Sequence, residues 1–169
     1  MKCVRLSWRD VRTTKVESNT LAEEQIIFHN KFDKLLTTLS VLSSRKKSTV
    51  TRLTRSSKIF KTIIKAIQDK KGEQLVSLDL RKIPEAVADF FIICQATSNT
   101  QVRAISDFIE EQVRLKCEEA PYKHEGKQGL HWVLIDYVNI VVHVMQPDTR
   151  KFYRLEEMWH DAPLTGHDE

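Results

Sequence analysis

Glycine and proline are scarce. Four of each stand among 169 residues, which excludes collagen-like and low-complexity chains. Cysteine is scarcer, at positions 3, 94 and 117. An odd, scattered count excludes a disulfide-framed secreted scaffold and fits a reducing compartment. No apolar run approaches the roughly 18 residues that a membrane span requires. The longest, around 90–94 and 140–145, have the length of strands. The chain also has no Cys-x-x-Cys, His-Glu-x-x-His, Walker loop, Gly-x-Gly-x-x-Gly or Gly-x-Ser-x-Gly elbow. These absences leave structural zinc, zinc-protease, nucleotide-loop and hydrolase chemistries without a sequence basis.

Hydrophobic residues make up 41% and charged residues 30%, enough apolar content for a core. The net charge of +4 conceals a division. Residues 1–55 hold twelve Lys/Arg and five Asp/Glu, whereas residues 56–169 hold fifteen and eighteen. The first part is therefore +7 and the second −3. Basicity belongs to the N-terminal third, and the remainder is an acidic domain compatible with a basic protein partner.

Residues 1–55 are expected to be a basic N-terminal extension, either disordered or the product of a start assigned too far upstream. They carry one helical pattern, over 21–42, followed by a polar, basic linker, Ser43 to Thr49. No secretory h-region follows the basic start. Val50 could serve as an alternative GTG start in a bacterium. An organellar presequence would suit the basic and Ser/Thr content but not Glu17, Glu23, Glu24 and Asp33.

The domain is expected over 56–163, with 164–169 as a tail. Ser56 or Ser57 can cap a helix bearing Ile59, Phe60, Ile63, Ile64 and Ile67, closed by Lys70, Lys71 and Gly72, with Gly72 taking a positive φ. Leu75, Val76, Leu78 and Leu80 form a strand. Phe90 to Cys94 reads as a strand buried on both faces. Thr97 to Thr100 open a helix with Val102, Ile105, Ile109 and Val113 inward. Leu130–Tyr137 and Ile140–Gln146 read as an antiparallel hairpin. Leu130, Trp132, Leu134 and Asp136 point one way, and His131, Val133, Ile135 and Tyr137 the other. Pro147 opens a last helix carrying Phe152, Leu155, Met158 and Trp159, with Phe152 and Leu155 as core. The order is α-β-β-α-β-β-α, an α/β fold with a mixed β-sheet and flanking helices.

Candidate chemistry is thin. Cys94, Cys117, His124, His131 and His143 are too dispersed for a metal site. Cys94 lies in the most apolar run, where a thiol is a small hydrophobe, and Cys117 lies at the wrong helix end for a thiolate. The Ala96-Thr97-Ser98 turn into a helix resembles nucleotidyltransferases. Asp79, Asp89 and Asp136 do not form the paired carboxylates that those enzymes use to hold two metal ions. A divergent nucleotidyltransferase using Asp89 and Asp136 is one alternative. An RNA-binding module using the basic extension is the other.

Three blocks carry a family resemblance. The first is Asp89-Phe90-Phe91-Ile92-Ile93-Cys94, then Ala96-Thr97-Ser98-Asn99-Thr100-Gln101-Val102-Arg103-Ala104-Ile105. The second is Glu125-Gly126, Trp132-Val133-Leu134-Ile135-Asp136-Tyr137 and Val141-Val142-His143-Val144-Met145. The third is Arg150-Lys151-Phe152-Tyr153-Arg154-Leu155-Glu156 with Met158-Trp159. In order and spacing, residues 56–163 resemble the ribosome silencing factor, or Iojap-like, family. The resemblance implies a nucleotidyltransferase-like fold without catalytic carboxylates, no enzyme activity and no cofactor. It implies binding to the large ribosomal subunit through ribosomal protein fourteen, with rRNA contact also open. The bound domain would sterically block the small subunit and lower translation when nutrients are short. No membrane or small-molecule partner is implied, and the location is the bacterial cytoplasm, or an organelle in a eukaryote. Trp132, Asp136, Tyr137, His143 and Tyr153 are expected at or beside the partner surface, where aromatic residues make strong anchors. Val138-Asn139 stands where the family commonly has Gly-Asp, so Asn139 is expected to supply the left-handed turn residue.

Overall fold

The computed structural model describes residues 53–84 and 86–167. The expected extension, the 21–42 helix and the 43–49 linker lie outside these residues, apart from 53–55.

Helix α1 spans Lys58–Asp69, and the Ser57 hydroxyl at its N-cap accepts the Phe60 N–H at 3.4 Å. Ile59, Phe60, Ile63, Ala66 and Ile67 are buried on one face. Its end corrects one expectation. Lys71, not Gly72, takes the left-handed conformation, at φ 55°. The Gly72 N–H bonds Ile67 O at 2.9 Å, and a Cβ there would lie 2.5 Å from Ile67 Cγ2. Gly72 is thus required for space rather than for φ.

Six strands form one mixed sheet, ordered β3-β4-β5-β2-β1-β6. Their ranges are β1 Glu73–Asp79, β2 Phe90–Gln95, β3 Lys123–Glu125, β4 Trp132–Asp136, β5 Ile140–Met145 and β6 Leu164–Gly166. Only β2 and β5 run parallel, with Phe90 opposite Ile140 and Gln95 opposite Met145. Parallel neighbours need a long crossover, and helix α2, Asn99–Cys117, lies within it. Ser98 caps α2, accepting the Gln101 N–H at 3.2 Å.

Alternation along the central strands creates two cores. On one face, Phe90, Ile92, Cys94, Val133, Ile135, Ile140 and Val142 pack beneath α1 and α2. On the other, Phe91, Ile93, Trp132, Leu134, Val141 and His143 are buried as well. The second face is covered by the chain after β5, as two short helices, α3 Pro147–Tyr153 and α4 Leu155–Met158. Within β4 the two sets face as the alternation predicts. Leu130, expected beside Trp132, joins the α1–α2 side instead, because it precedes the strand with φ 55°.

Four further features depart from the sequence reading. β3 lies in a stretch to which the sequence reading assigns no strand. Residues 164–166, read as tail, add a strand to β1, with Leu78 opposite Leu164, so the sheet runs past 163. The last helix is broken by Arg154 at φ 46°, which turns Phe152 outward and leaves Leu155 buried. In the hairpin turn the left-handed residue is Val138, at φ 71°, not Asn139. Asn139 N–H reaches back to Tyr137 O at 2.8 Å, a three-residue turn centred on Val138. That turn aims Asn139 O at the N–H groups of Asp89 and Phe90, at 2.9 and 3.1 Å, joining it to the start of β2.

Candidate partner-binding surface

The expected site residues divide by depth. Trp132, Tyr137, His143 and Tyr153 are buried, with exposures of 2, 6, 1 and 8%. Asp136 is half-buried. The expectation of a place at the surface is therefore corrected for the four rings, which lie beneath it. The physical reason is the third layer: α3 and α4 cover the sheet face that a bare hairpin would leave open.

Trp132, His143 and Tyr153 do come together. The Trp132 indole N–H donates to His143 Nδ1 at 3.2 Å. The Trp132 ring lies 4.8 Å from that of Tyr153, and Phe91 meets His143 at 4.9 Å, edge to face. Trp159 closes the cluster at 5.7 Å from Phe91. Burial pushes the His143 pKa down to about 3, so the ring is neutral. Accepting on Nδ1 places the proton of that neutral ring on Nε2, which is buried without a hydrogen-bond partner.

The cluster ends in an exposed ring. Phe152 is 64% exposed and packs edge-on against Tyr153 at 5.0 Å. Met158, one turn beyond Arg154, is also exposed. Arg150 fixes this segment. Its guanidinium bonds Glu156 Oε1 through Nε at 2.8 Å and Gln74 O at 2.8 Å, tying α3 to α4 and to the start of β1. The result is an apolar ring on a rigid aromatic base, with the carboxylates of Glu157 and Asp161 exposed nearby in the chain. Rigid aromatic anchors of this kind dominate protein interfaces. Sequence reasoning read Phe152 as core because helical spacing aligned it with Leu155. No residue type in the segment signals the left-handed Arg154.

Tyr137 and Asp136 lie at the hairpin corner. Tyr137 packs toward α2, where burial raises its hydroxyl pKa. Asp136 Oδ1 accepts the Val138 N–H at 2.7 Å, and burial raises its pKa against the pull of that bond and of Lys123. Tyr122, 66% exposed, stands beside it through its N–H to Asp136 O. Gly126, in the loop after β3, has φ 85°, and a Cβ there would sit 1.8 Å from Trp132 O. Only glycine allows the loop to approach β4 this closely.

Asp89, of the enzyme alternative, and Asp79 make structural contacts. Asp89 accepts the Leu53 N–H at 3.1 Å, and Asp79 is paired with Arg81 at 2.6 Å, which holds its carboxyl below the usual range. Among the described residues no group of three His, Cys, Asp or Glu is placed to hold a metal. Cys94 is fully buried, and desolvation pushes its thiol up to about 12, as its apolar run implies.

The family described as "Ribosomal silencing factor during starvation" matches residues 54–169. A protein of Halalkalibacterium halodurans named "Ribosomal silencing factor RsfS" is 41% identical over 100 residues, covering 59% of this chain and 84% of that protein. A mouse protein named "Mitochondrial assembly of ribosomal large subunit protein 1" is 37% identical over 73 residues, covering 42% of this chain and 32% of that protein. A crystal structure of a Chromobacterium violaceum protein superposes with a TM-score of 0.57 at 31% identity, covering 60% of this chain and 83% of that one. Silencing factor is a regulatory role, not an enzymatic one.

Proposed function

This chain belongs to the ribosomal silencing factor family, and we propose that it binds the large ribosomal subunit through ribosomal protein fourteen. Occupying that position sterically blocks joining of the small subunit and lowers translation when nutrients are short. One observation carries the reading: Phe152 is held 64% exposed on the Tyr153–Trp132 base, in a segment clamped by Arg150. An exposed ring already seated against a buried neighbour has less freedom to lose on docking than a free one. The net charge of −3 over residues 56–169 suits a basic ribosomal protein. The mouse relative is named for the large subunit, which supports the choice of subunit.

In this reading Trp132, His143 and Tyr153 act by holding the docking ring in place. Asp136 and Tyr137 shape the hairpin corner that presents Tyr122 and Val138. Occlusion requires no bond making, in keeping with carboxylates spent on structural contacts. No helix among the described residues is long and apolar enough to cross a membrane. The working location is the bacterial cytoplasm, or the organelle in a eukaryote.

Co-sedimentation of the full chain with purified large and small subunits tests the reading. Wild-type protein is expected to pellet with the large subunit alone, and Phe152→Ala to remain in the supernatant. Pelleting of both proteins alike would remove Phe152 from the interface.

A further inference from the structure

We propose that the outer face of α1 is a second contact surface, one that fits the phosphate backbone of an RNA strand. Lys58, Lys61 and Lys65 are exposed at steps of three and four, which stacks them along one side of the helix. None of the three has an ion-pair partner among the described residues, unlike Lys127, Arg150 and Arg154, which meet Glu110, Glu156 and Glu157. Arg55, just before the helix, adds a fourth cation. Its guanidinium is already ion-paired with Asp79 at 4.0 Å, so it adds to the charge of the face without being unmatched. A groove runs beside the stripe, lined by Arg55, Lys61, Lys65 and His167 together with one carboxylate, Asp69, the buried Phe60 and the half-buried Ile64.

The concentration of unmatched positive charge stands against the −3 of residues 56–169 as a whole. In the sequence it continues a run of cations, Arg45, Lys46, Lys47 and Arg52. RNA is favoured over an acidic protein by what the face lacks. Protein interfaces are anchored by apolar and aromatic side chains, and no large hydrophobic residue of α1 is exposed. Ammonium groups one helical turn apart act as point charges, which suffices for phosphates and reads no base. The stripe lies on the α1–α2 side of the sheet and Phe152 on the other, so RNA and the protein partner can be held at once. The two surfaces can therefore be removed independently.

The test is fluorescence anisotropy of a labelled RNA duplex and a labelled single strand, titrated with the full chain across a range of salt. The comparison is with the triple variant Lys58→Gln, Lys61→Gln, Lys65→Gln. Loss of three phosphate contacts is expected to weaken binding at low salt at least tenfold, and to make the slope of log K against log salt shallower by about 2. An unchanged melting temperature identifies the loss as surface charge, and Phe152→Ala is expected to bind RNA as the wild type does. Equal affinity and equal slope for the triple variant would overturn the proposal, as would poly-glutamate binding the wild type as tightly as RNA does.

Discussion

The indole N–H of Trp132 donates to Nδ1 of His143 across the diagonal between β4 and β5, at 3.2 Å, with both side chains buried. This bond fixes the imidazole as a neutral acceptor and locks the tryptophan that supports Tyr153. Stability and, in the proposed function, the support of the docking ring meet in these two residues.

Their burial has a pH consequence. The His143 pKa is lowered from 6.5 to about 3 by desolvation, so between those values the unfolded chain binds a proton that the folded chain excludes. Its contribution to stability is complete above about pH 6.5 and is lost as pH falls toward 3, at up to about 1.4 kcal/mol per pH unit. Urea midpoints between pH 7.5 and 4.5 should decline for the wild type. The decline should be shallower for His143→Gln, which keeps an acceptor without a titrating ring. Parallel declines would mean that other groups control acid stability.

Trp132 and Phe152 should separate folding from binding. Trp132→Ala removes a buried indole and is expected to destabilise the fold by about 3–5 kcal/mol. Phe152→Ala should change stability by no more than about 0.5 kcal/mol, as exposed positions do, while weakening subunit binding. Chemical denaturation of both variants checks this. An undisturbed fold in Trp132→Ala would return that ring to the surface.

The turn offers a stabilising substitution. Val138 is β-branched, 59% exposed and held at φ 71°, where an L-residue loses about 1–2 kcal/mol. Val138→Gly relieves that strain and gives part of it back as unfolded-state entropy. A net gain of about 0.5–1 kcal/mol, seen as a melting temperature higher by a few degrees, is expected. A lower melting temperature would show that the valine side chain contributes more than its backbone loses.

Gly126→Ala should do the reverse. A Cβ 1.8 Å from Trp132 O forces the loop away from β4 and unpairs β3, which hydrogen-exchange at Lys123–Glu125 would register as lost protection. Retained protection there would mean that the loop rearranges without disturbing the sheet.

Much of this architecture is legible in the residues. The steps of three and four among Ile59, Phe60, Ile63 and Ile67 mark α1, the unbroken run Phe90–Cys94 marks the central strand, and the period of two over 132–137 sorts β4 onto its faces. What is hidden has physical causes. β3 and β6 are three residues each, and backbone pairing places them without any apolar periodicity. Alternation assigns Trp132 and His143 to the same side, yet it cannot say whether that side meets water or a third layer. Arg154 carries no signal for φ 46°, so the break that exposes Phe152 and buries Tyr153 is invisible in a helical reading. The grouping of these aromatic residues is therefore readable, and their depth is not.

The most direct test of occlusion is light scattering of subunit joining. Purified small subunits are added to large subunits preincubated with increasing amounts of the full chain, wild type or Phe152→Ala. The account predicts that joining falls in proportion to wild-type protein bound and is restored by the substitution. Undiminished joining at saturating wild-type protein would contradict it.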